Sequence, residues 1–313
     1  MESLSLLLEG FSHALTLENI FWVIAGCLLG TAVGVLPGLG SSMAVALLLP
    51  VTFALEPTAA FIMFSGVYFG GLFGDSTMGI LMNTPGQASA IASTFEGHTM
   101  AKKGRAAQAL AVAAIGAFIG GFISSILVVF MAPLLADWSN SFGPAEFFAL
   151  AVFAFIATSS VVTDSAIKGL LSLFLGLALA VIGIDSVTGI PRFTADSPEL
   201  FDGVSLVTVT VAVLALGEVF HQIYLRHPGG ATRMIRPKKG VYLSRKDFRE
   251  ALPAWLRGTA IGLPFGVIPT GGADIPTFLA YGVEKNLDQR RKDPQFGQGA
   301  IRGLAAPEAA GNA

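Results

Sequence analysis

The residues most able to do chemistry are polar or helix-breaking residues inside long apolar segments. A helix break at membrane depth frees backbone N–H and C=O groups, which are tolerated only where protein or a watery cavity completes their hydrogen bonds. The breaks therefore predict a polar site for a substrate. The residues assigned to this site are Pro37, Gly38, Gly40, Ser41, Ser42, Asn83, Thr84, Pro85, Gly86, Pro269, Gly271, Gly272, Pro307 and Glu308. The half-helix that starts at Ser41 could hold an anionic group at its N-terminal amides.

A second group of residues could bind a cation near these breaks. Asp75 lies deep in an apolar segment, where an ionisable side chain is functional by default. Hydroxyl groups with at most one carboxylate suit a weak, reversible site for an alkali ion such as Na⁺. The residues assigned to ion binding are Asp75, Ser76, Thr77 and Asp274. The alternatives are a helix-capping or interfacial role for Asp75, an N-cap for Asp274 and a plain surface turn at 83–86.

These residues must be positioned by helices that cross a bilayer. Of the 313 residues, 53% are apolar and 13% are charged, against about a quarter charged in soluble domains. Residues 1–101 contain no Lys or Arg. Because about 20 apolar residues cross a bilayer, this composition predicts a polytopic membrane protein. The net charge of -2 argues against nucleic-acid binding, and a single cysteine excludes an internal disulfide and a Cys-rich metal site.

Charge and hydropathy divide the chain into five regions. We expect an interfacial helix at 1–16, a first transport repeat with a broken hairpin at 17–135, connecting transmembrane helices at 136–224, a cytoplasmic basic loop at 225–250, and the start of a second, inverted repeat at 251–313 that we expect to be truncated. The basic loop holds eight Lys and Arg residues, and the positive-inside rule places it in the cytoplasm. Within the first repeat, 17–55 is predicted to enter and leave on the outer face, and 57–82 to span the membrane.

An internal repeat links the first and second halves of the chain. Residues 26–40 align without gaps on residues 258–272, with six of fifteen positions identical. A second correspondence, between 84–90 and 306–312, has a less secure register. The predicted topology starts the two copies on opposite sides of the membrane, and inverted repeats with interrupted helices are typical of secondary transporters. The predicted fold is an all-α integral membrane protein, a polytopic helical bundle with inverted repeats and re-entrant or broken helices.

Several of these segments together resemble one known family. Gly34-Val-Leu-Pro-Gly-Leu-Gly40, Asn83-Thr-Pro-Gly-Gln-Ala-Ser89 and the loop at 183–193 are similar to the large membrane subunit of the tripartite tricarboxylate transporters, the TctA type. The resemblance implies a multi-pass permease of the bacterial inner membrane. It also implies a small membrane subunit (TctB type) and a periplasmic substrate-binding protein (TctC type) as partners, with an organic acid anion as substrate and an ion gradient as the driving force.

The expected function is ion-coupled uptake of a di- or tricarboxylate, with Na⁺ or H⁺ as the coupling ion and no other cofactor. A channel or an intramembrane enzyme is the alternative. An enzyme should show a nucleophile with a base, or a metal cluster, within its spans, and the four histidines are scattered. The chain departs from the family pattern at Pro269-Thr-Gly-Gly-Ala273 and at Gly74-Asp-Ser-Thr77, so the resemblance carries over neither the substrate nor the ion.

Overall fold

The described part of the chain is mainly helical. The computed structural model describes residues 9–36, 40–162, 165–185, 188–225, 243–268, 272–291 and 293–313. The α-helices are α1 (Leu17–Gly34), α2 (Ser41–Thr52), α3 (Pro57–Met82), α4 (Ala88–Lys102), α5 (Ala106–Asn140), α6 (Pro144–Val162), α7 (Ala166–Ala180), α8 (Leu206–Thr210), α9 (Gly217–Leu225), α10 (Arg245–Val267), α11 (Asp274–Gln289) and α12 (Ile301–Gly311). A π-helical turn, Val211–Leu216, joins α8 to α9, and residues 9–14 are also helical. Two short antiparallel strands, β1 (Gly183–Ile184) and β2 (Pro191–Arg192), pair with each other, and a 3₁₀ turn spans Pro198–Leu200.

Local sequence explains where several of these helices begin and end. The Thr16 side chain accepts a hydrogen bond from the Asn19 backbone at 3.3 Å and caps α1. Ser244 and Asp247 form a capping box at the start of α10. Helix α3 ends because Asn83 adopts the left-handed backbone conformation, with a φ of 59°, which Asn tolerates better than most residues.

Among the described residues, three helices are long and apolar enough to cross a bilayer: α1, α3 and the Ala106–Met131 part of α5. Helix α2 and the apolar parts of α6 and α7 are shorter. Large apolar side chains such as Phe21, Phe61, Phe118 and Phe148 are exposed, which is typical of surfaces that contact lipid. The prediction of an all-α membrane protein is confirmed in this coarse form, whereas its inverted repeats and re-entrant helices stay predictions.

The predicted regions map unevenly onto the helices. Half of the interfacial helix expected at 1–16, and most of the basic loop expected at 225–250, lie outside the described residues. The end of that loop is helical, because α10 already begins at Arg245. The boundary expected after residue 135 falls inside α5, which continues to Asn140.

Two helix pairs pack through the glycines of the internal repeat. A methyl group at Gly26, Gly30 or Gly34 of α1 would lie 2.1–2.3 Å from the carbonyl oxygens of residues 63, 67 and 71 in α3. A methyl group at Gly258 or Gly262 of α10 would lie 2.2–2.4 Å from the carbonyl oxygens of residues 306 and 310 in α12. Glycine allows this close approach of two backbones. Along each pair, the residue numbers of the contacting positions increase in both helices, so the two helices run in the same direction. Helix α2 must therefore return the chain between α1 and α3.

This packing corrects the second correspondence predicted within the repeat. Residues 84–90 contain the break between α3 and α4, whereas Pro307 lies inside the continuous helix α12. The glycine contacts instead make Ala306 of the second copy equivalent to Met63 of the first. The predicted equivalence of Pro307 with Pro85 is therefore wrong, because a match over seven mostly small residues cannot define a register that close helix packing decides.

Helix α12 lies at the centre of the described bundle. Its residues are buried except Arg302 and Gly311, and it packs against α4, α5, α10 and α11. The fully buried Trp255 of α10 lies in the same core, and its indole N–H donates to the carbonyl of Val112 in α5 at 3.2 Å. Because Glu308 belongs to α12 and Asn312 follows it directly, this packing decides where those two polar side chains lie.

Candidate functional site

The described end of the break predicted at 37–42 lies beside the residue that follows the break at 83–86. Four of the residues assigned to the substrate site lie outside the described part of the chain: Pro37, Gly38, Pro269 and Gly271. Gly40 precedes α2, and a methyl group on it would lie 3.2 Å from the side-chain oxygen of Gln87, the residue before α4. Ser41 is buried against Gly71 of α3, whereas Ser42 is exposed.

The break predicted at 83–86 is present and folds back against α3. Helix α3 ends at Met82 and α4 begins at Ala88. Pro85 is buried, and the Thr84 hydroxyl is buried without a hydrogen-bond partner among the described residues. The backbone N–H of Gly86 donates to Oδ1 of Asp75 on α3. The break therefore lies against protein and not, as the alternative expected, in a plain surface turn.

The two carboxylate oxygens of Asp75 have different surroundings. The side chain is 2% exposed. Oδ1 accepts the hydrogen bond from the backbone N–H of Gly86, two residues before α4 begins. Oδ2 is buried and receives no hydrogen bond of normal geometry from any residue that the structure describes, although the backbone and the side chain of Gln87 lie close enough to interact with the carboxylate. One oxygen thus holds the loop ahead of α4, and the other lacks a hydrogen bond of normal geometry among the described residues.

Glu308, assigned from the sequence to the substrate site, lies with the residues assigned to the ion. The Ser76 hydroxyl donates to Oε2 of Glu308 at 3.1 Å, and the Ser93 side chain interacts with the same carboxylate. Asp75 lies close enough to Glu308 for the two carboxylates to interact electrostatically. Thr77 is placed differently, because its hydroxyl donates to the carbonyl of Phe73 in its own helix at 2.8 Å.

A small cavity separates α3, α4, α11 and α12 at this point. Its volume of about 10 Å³ is space for about one water molecule. Its main polar lining residues are Asp75, Ser76, Ser93, Thr277, Glu308 and Asn312. No Lys, Arg or His lines it within the described ranges. We call it the small cavity below.

A larger cavity, of about 350 Å³, shares Gly311 and Asn312 with the small one. Its walls include Tyr68 of α3 and Ser124 of α5. The Ser124 hydroxyl is buried and has no hydrogen-bond partner in the part of the chain that is described. We call it the large cavity below, and it is lined by neutral residues throughout its described walls.

The second predicted break borders the large cavity. Gly272, one of its lining residues, has a positive φ of 55°. Asp274 begins α11, and its carboxylate lies beside the backbone N–H of Ser89 in the first turn of α4. Asp274 is not a lining residue of either cavity as described, although its neighbour Ser89 lines the small one.

Sequence reasoning missed two buried carboxylates that hold the loop ahead of α12. Glu96 of α4 is fully buried and accepts hydrogen bonds from the backbone N–H groups of Gly297, Gly299 and Ala300 at 2.6–2.8 Å. Asp288 accepts in the same way from the backbone of residues 295 and 296. The signal available in the sequence was the Gly-x-Gly at 297–299, whose positive φ angles of 80° and 85° turn the loop toward Glu96.

Two arginines of the second copy, Arg257 and Arg302, lie away from the small and the large cavity. Arg257 pairs with Glu284 at 2.5 Å, and Arg302 lies 3.8 Å from Glu250. Arg302 lines a third cavity of about 580 Å³, whose described walls carry five cationic and three acidic side chains. Neither arginine is among the described residues that line the small or the large cavity.

The apolar helices and the buried polar centre define an α-helical membrane protein built around helix breaks. The chain belongs to the tripartite tricarboxylate transporter TctA family, whose model matches residues 20–313. This confirms the resemblance found in the sequence. By its name, this is a family of tripartite tricarboxylate transporters.

Two similar proteins come from Agrobacterium vitis. One, the uncharacterized 52.8 kDa protein in the TAR-I ttuC' 3' region, is 41% identical over all 313 residues. The other, an uncharacterized protein in the TAR-II ttuC' 3' region, is 51% identical over 53 residues, which are 17% of this chain and 21% of that protein. The chain spans 62% of the length of the first relative. No solved structure matches the chain.

Proposed function

We propose that this chain is the large permease subunit of a binding-protein-dependent tripartite system that takes up a di- or tricarboxylate across the bacterial inner membrane. A small membrane subunit and a periplasmic substrate-binding protein are its partners. An ion gradient, of Na⁺ or H⁺, drives the uptake. Family membership supports the transport role, and the arrangement of the cavities supports the substrate site.

The observation that carries this proposal is the large cavity beside the second helix break. Its 350 Å³ falls within the roughly 300–1,000 Å³ typical of small-molecule sites. The Ser124 hydroxyl is buried at its wall without a partner among the described residues. The hydroxyl can donate to a carboxylate, and backbone N–H groups near Gly272, ahead of α11, are further donors.

The charge of the substrate explains why an ion gradient is needed. A membrane potential of 100 mV opposes the entry of an anion by about 2.3 kcal/mol per charge, so a di- or trivalent anion meets about 5 to 7 kcal/mol. Neutral residues line the described walls of the large cavity, and they cannot offset this charge. Cotransport of more cations than the anion has charges removes the electrical cost.

We further propose that the two glycine-stripe copies are inverted repeats whose breaks meet at the centre of the protein. The equivalent pairing of α1 with α3 and of α10 with α12 supports this view. Gly40 lies beside Gln87, and Asp274 lies beside Ser89. The described ends of the breaks at 37–42 and 269–274 therefore both lie at the start of α4. Labelling of single cysteines at the exposed positions Glu56 and Lys102 tests the topology, and the predicted topology fails if both positions are reached from the same side.

Uptake by proteoliposomes that contain the full-length protein, both partners and an imposed Na⁺ or proton gradient tests the proposed function. Radiolabelled di- and tricarboxylates should accumulate only when one of the two gradients is present. Ser124→Ala should raise KM about tenfold or more, because a hydrogen bond to a charged group is worth about 1.5–3 kcal/mol. Ser65→Ala, at an exposed position of α3, is the matched control and should leave KM unchanged.

Two results would refute the proposal. Flux of carboxylate that only follows its own gradient would identify a channel. A KM that is unchanged in Ser124→Ala would remove the large cavity from the transport path.

A further inference from the structure

The small cavity contains oxygen atoms whose bonding is incomplete. Three buried oxygens of its lining residues, Asp75 Oδ2, Glu308 Oε1 and Asn312 Oδ1, receive no hydrogen bond of normal geometry from the residues that the structure describes. The amide of Asn312 is oriented by its own NH₂ group, which donates to the backbone carbonyl of Glu308 at 2.8 Å. Ionised carboxylate oxygens and an amide oxygen are acceptors. The cavity therefore needs an occupant that is a hydrogen-bond donor or a cation.

Charge decides between these two kinds of occupant. Asp75 and Glu308 are 2% and 3% exposed, and burying a carboxylate without a counter-charge is costly. Among the described residues, no Lys, Arg or His lines this cavity. A water molecule would supply donors but no positive charge. A metal cation supplies the charge and is bound by oxygen atoms of this kind.

We propose that one Na⁺ ion, stripped of its hydration shell, binds in the small cavity to Asp75, Glu308 and Asn312, with Ser76 and Ser93 holding the Glu308 carboxylate in place. Oxygen ligands suit a hard cation. The cavity has space for about one water-sized particle, whereas Mg²⁺ keeps several waters and Ca²⁺ takes six to eight oxygen ligands. A single proton would neutralise one of the two carboxylates and would leave the other charged and buried.

The position of this site gives the ion a role in transport that rests on the proposed function. Two of the residues, Asp75 and Ser76, belong to α3 of the first copy, and Glu308 belongs to α12 of the second. Na⁺ therefore holds together two helices from different parts of the chain. Asn312 lines both cavities, so a bound cation lies next to the proposed substrate site and contributes positive charge where the described walls have none.

Sodium binding to the purified full-length protein, measured without any carboxylate, tests the site. Radioactive sodium should bind saturably, and the protein should unfold at a higher temperature in NaCl than in KCl or choline chloride of equal ionic strength. Glu308→Gln keeps the size of the side chain but removes its charge. It should weaken Na⁺ binding about 10- to 100-fold, the effect expected from loss of one charged interaction.

Glu284→Gln is the matched control, since Glu284 is fully buried in α11 but is paired with Arg257 away from the cavity. It should leave the Na⁺ affinity unchanged even if it lowers the unfolding temperature in every salt. Asn312→Ala, at a half-buried position, is the second variant if Glu308→Gln fails to fold, and it should also weaken Na⁺ binding. Wild-type protein without Na⁺-specific stabilisation, or folded variants with unchanged affinity, would overturn the proposal.

The two proposals can fail separately. A protein that binds Na⁺ as described but accumulates no carboxylate would refute the proposed function and keep the site. Carboxylate uptake by a protein that binds no Na⁺, driven by a proton gradient alone, would keep the function and overturn the site.

Discussion

Replacement of Gly258 by alanine perturbs the contact between α10 and α12 at a single point. The added methyl group would lie 2.2 Å from the carbonyl oxygen of Ala306 and 3.0 Å from its Cα, whereas ordinary contacts begin at 3.4 Å. These neighbours are backbone atoms of a buried helix, so no side chain can rotate away. The two helices must therefore move apart by about 1 Å.

The energetic cost follows from this displacement. Overpacking a close-packed core costs about 1–3 kcal/mol, and the better helix propensity of alanine returns about 1 kcal/mol. We expect the free energy of unfolding to fall by up to about 2 kcal/mol. Ala306 lies two residues before Glu308, so a shift of this size also disturbs the 3.1 Å hydrogen bond from Ser76. Uptake and Na⁺ binding should drop at least about tenfold, since a misplacement of about 1 Å can cost a hundredfold in a preorganised site.

The assay compares Gly258→Ala with Gly176→Ala in α7. An added methyl group at Gly176 meets nothing within 4 Å in the described part of the chain. Both variants are purified in detergent, and the midpoint of heat-induced loss of the monodisperse protein is measured together with carboxylate uptake in proteoliposomes. Gly258→Ala should have the lower midpoint and the lower uptake. Equal midpoints and equal uptake in the two variants would refute the close packing of α10 on α12 as the feature that positions Glu308.

Two further substitutions test the second break and the loop before α12. Gly272→Val should lower uptake because a β-branched residue at a φ of 55° is strained. Gly272→Asn should retain most of the uptake, because Asn tolerates this conformation. Equal uptake by both variants would contradict a conformational role for Gly272. Glu96→Ala should lower the free energy of unfolding by about 3 kcal/mol or more, because three backbone N–H groups lose their acceptor at about 1–3 kcal/mol each. Glu56→Ala, at an exposed position, is its control in thermal unfolding, and a similar small loss in both would contradict the buried role of Glu96.

Local features of the site were predictable because they depend on short segments. The break at 83–86 follows from Asn83, which accepts a left-handed backbone, and from Pro85, which cannot continue a helix ladder. The importance of Asp75 follows from its position in an apolar segment. The spacing of Gly26, Gly30 and Gly34 likewise indicates one helix face that permits close packing.

Long-range features were not predictable in the same way. The contact of Ser76 with Glu308 joins residues 232 positions apart, and it brings together side chains that sequence reasoning had divided between a substrate site and an ion site. The equivalence of Pro307 with Pro85 failed because both stretches contain small residues and proline, although one is a break and the other a buried helix. Glu96 and Asp288 were missed because their partners are backbone amides, which have no residue-specific signal.

The amino-acid sequence alone determined the class of this protein: long apolar helices, their points of interruption and the family to which the chain belongs. These properties depend on the residue types within windows of one helix length, where hydropathy and backbone preference act directly. The tertiary structure alone decided that Asp75, Glu308 and Asn312 surround one small cavity and that Asp274, Arg257 and Arg302 do not line it. That outcome depends on how the glycine-lined helices pack. The position of one helix relative to the other, to within about 1 Å, is determined by all the atoms of the contact together.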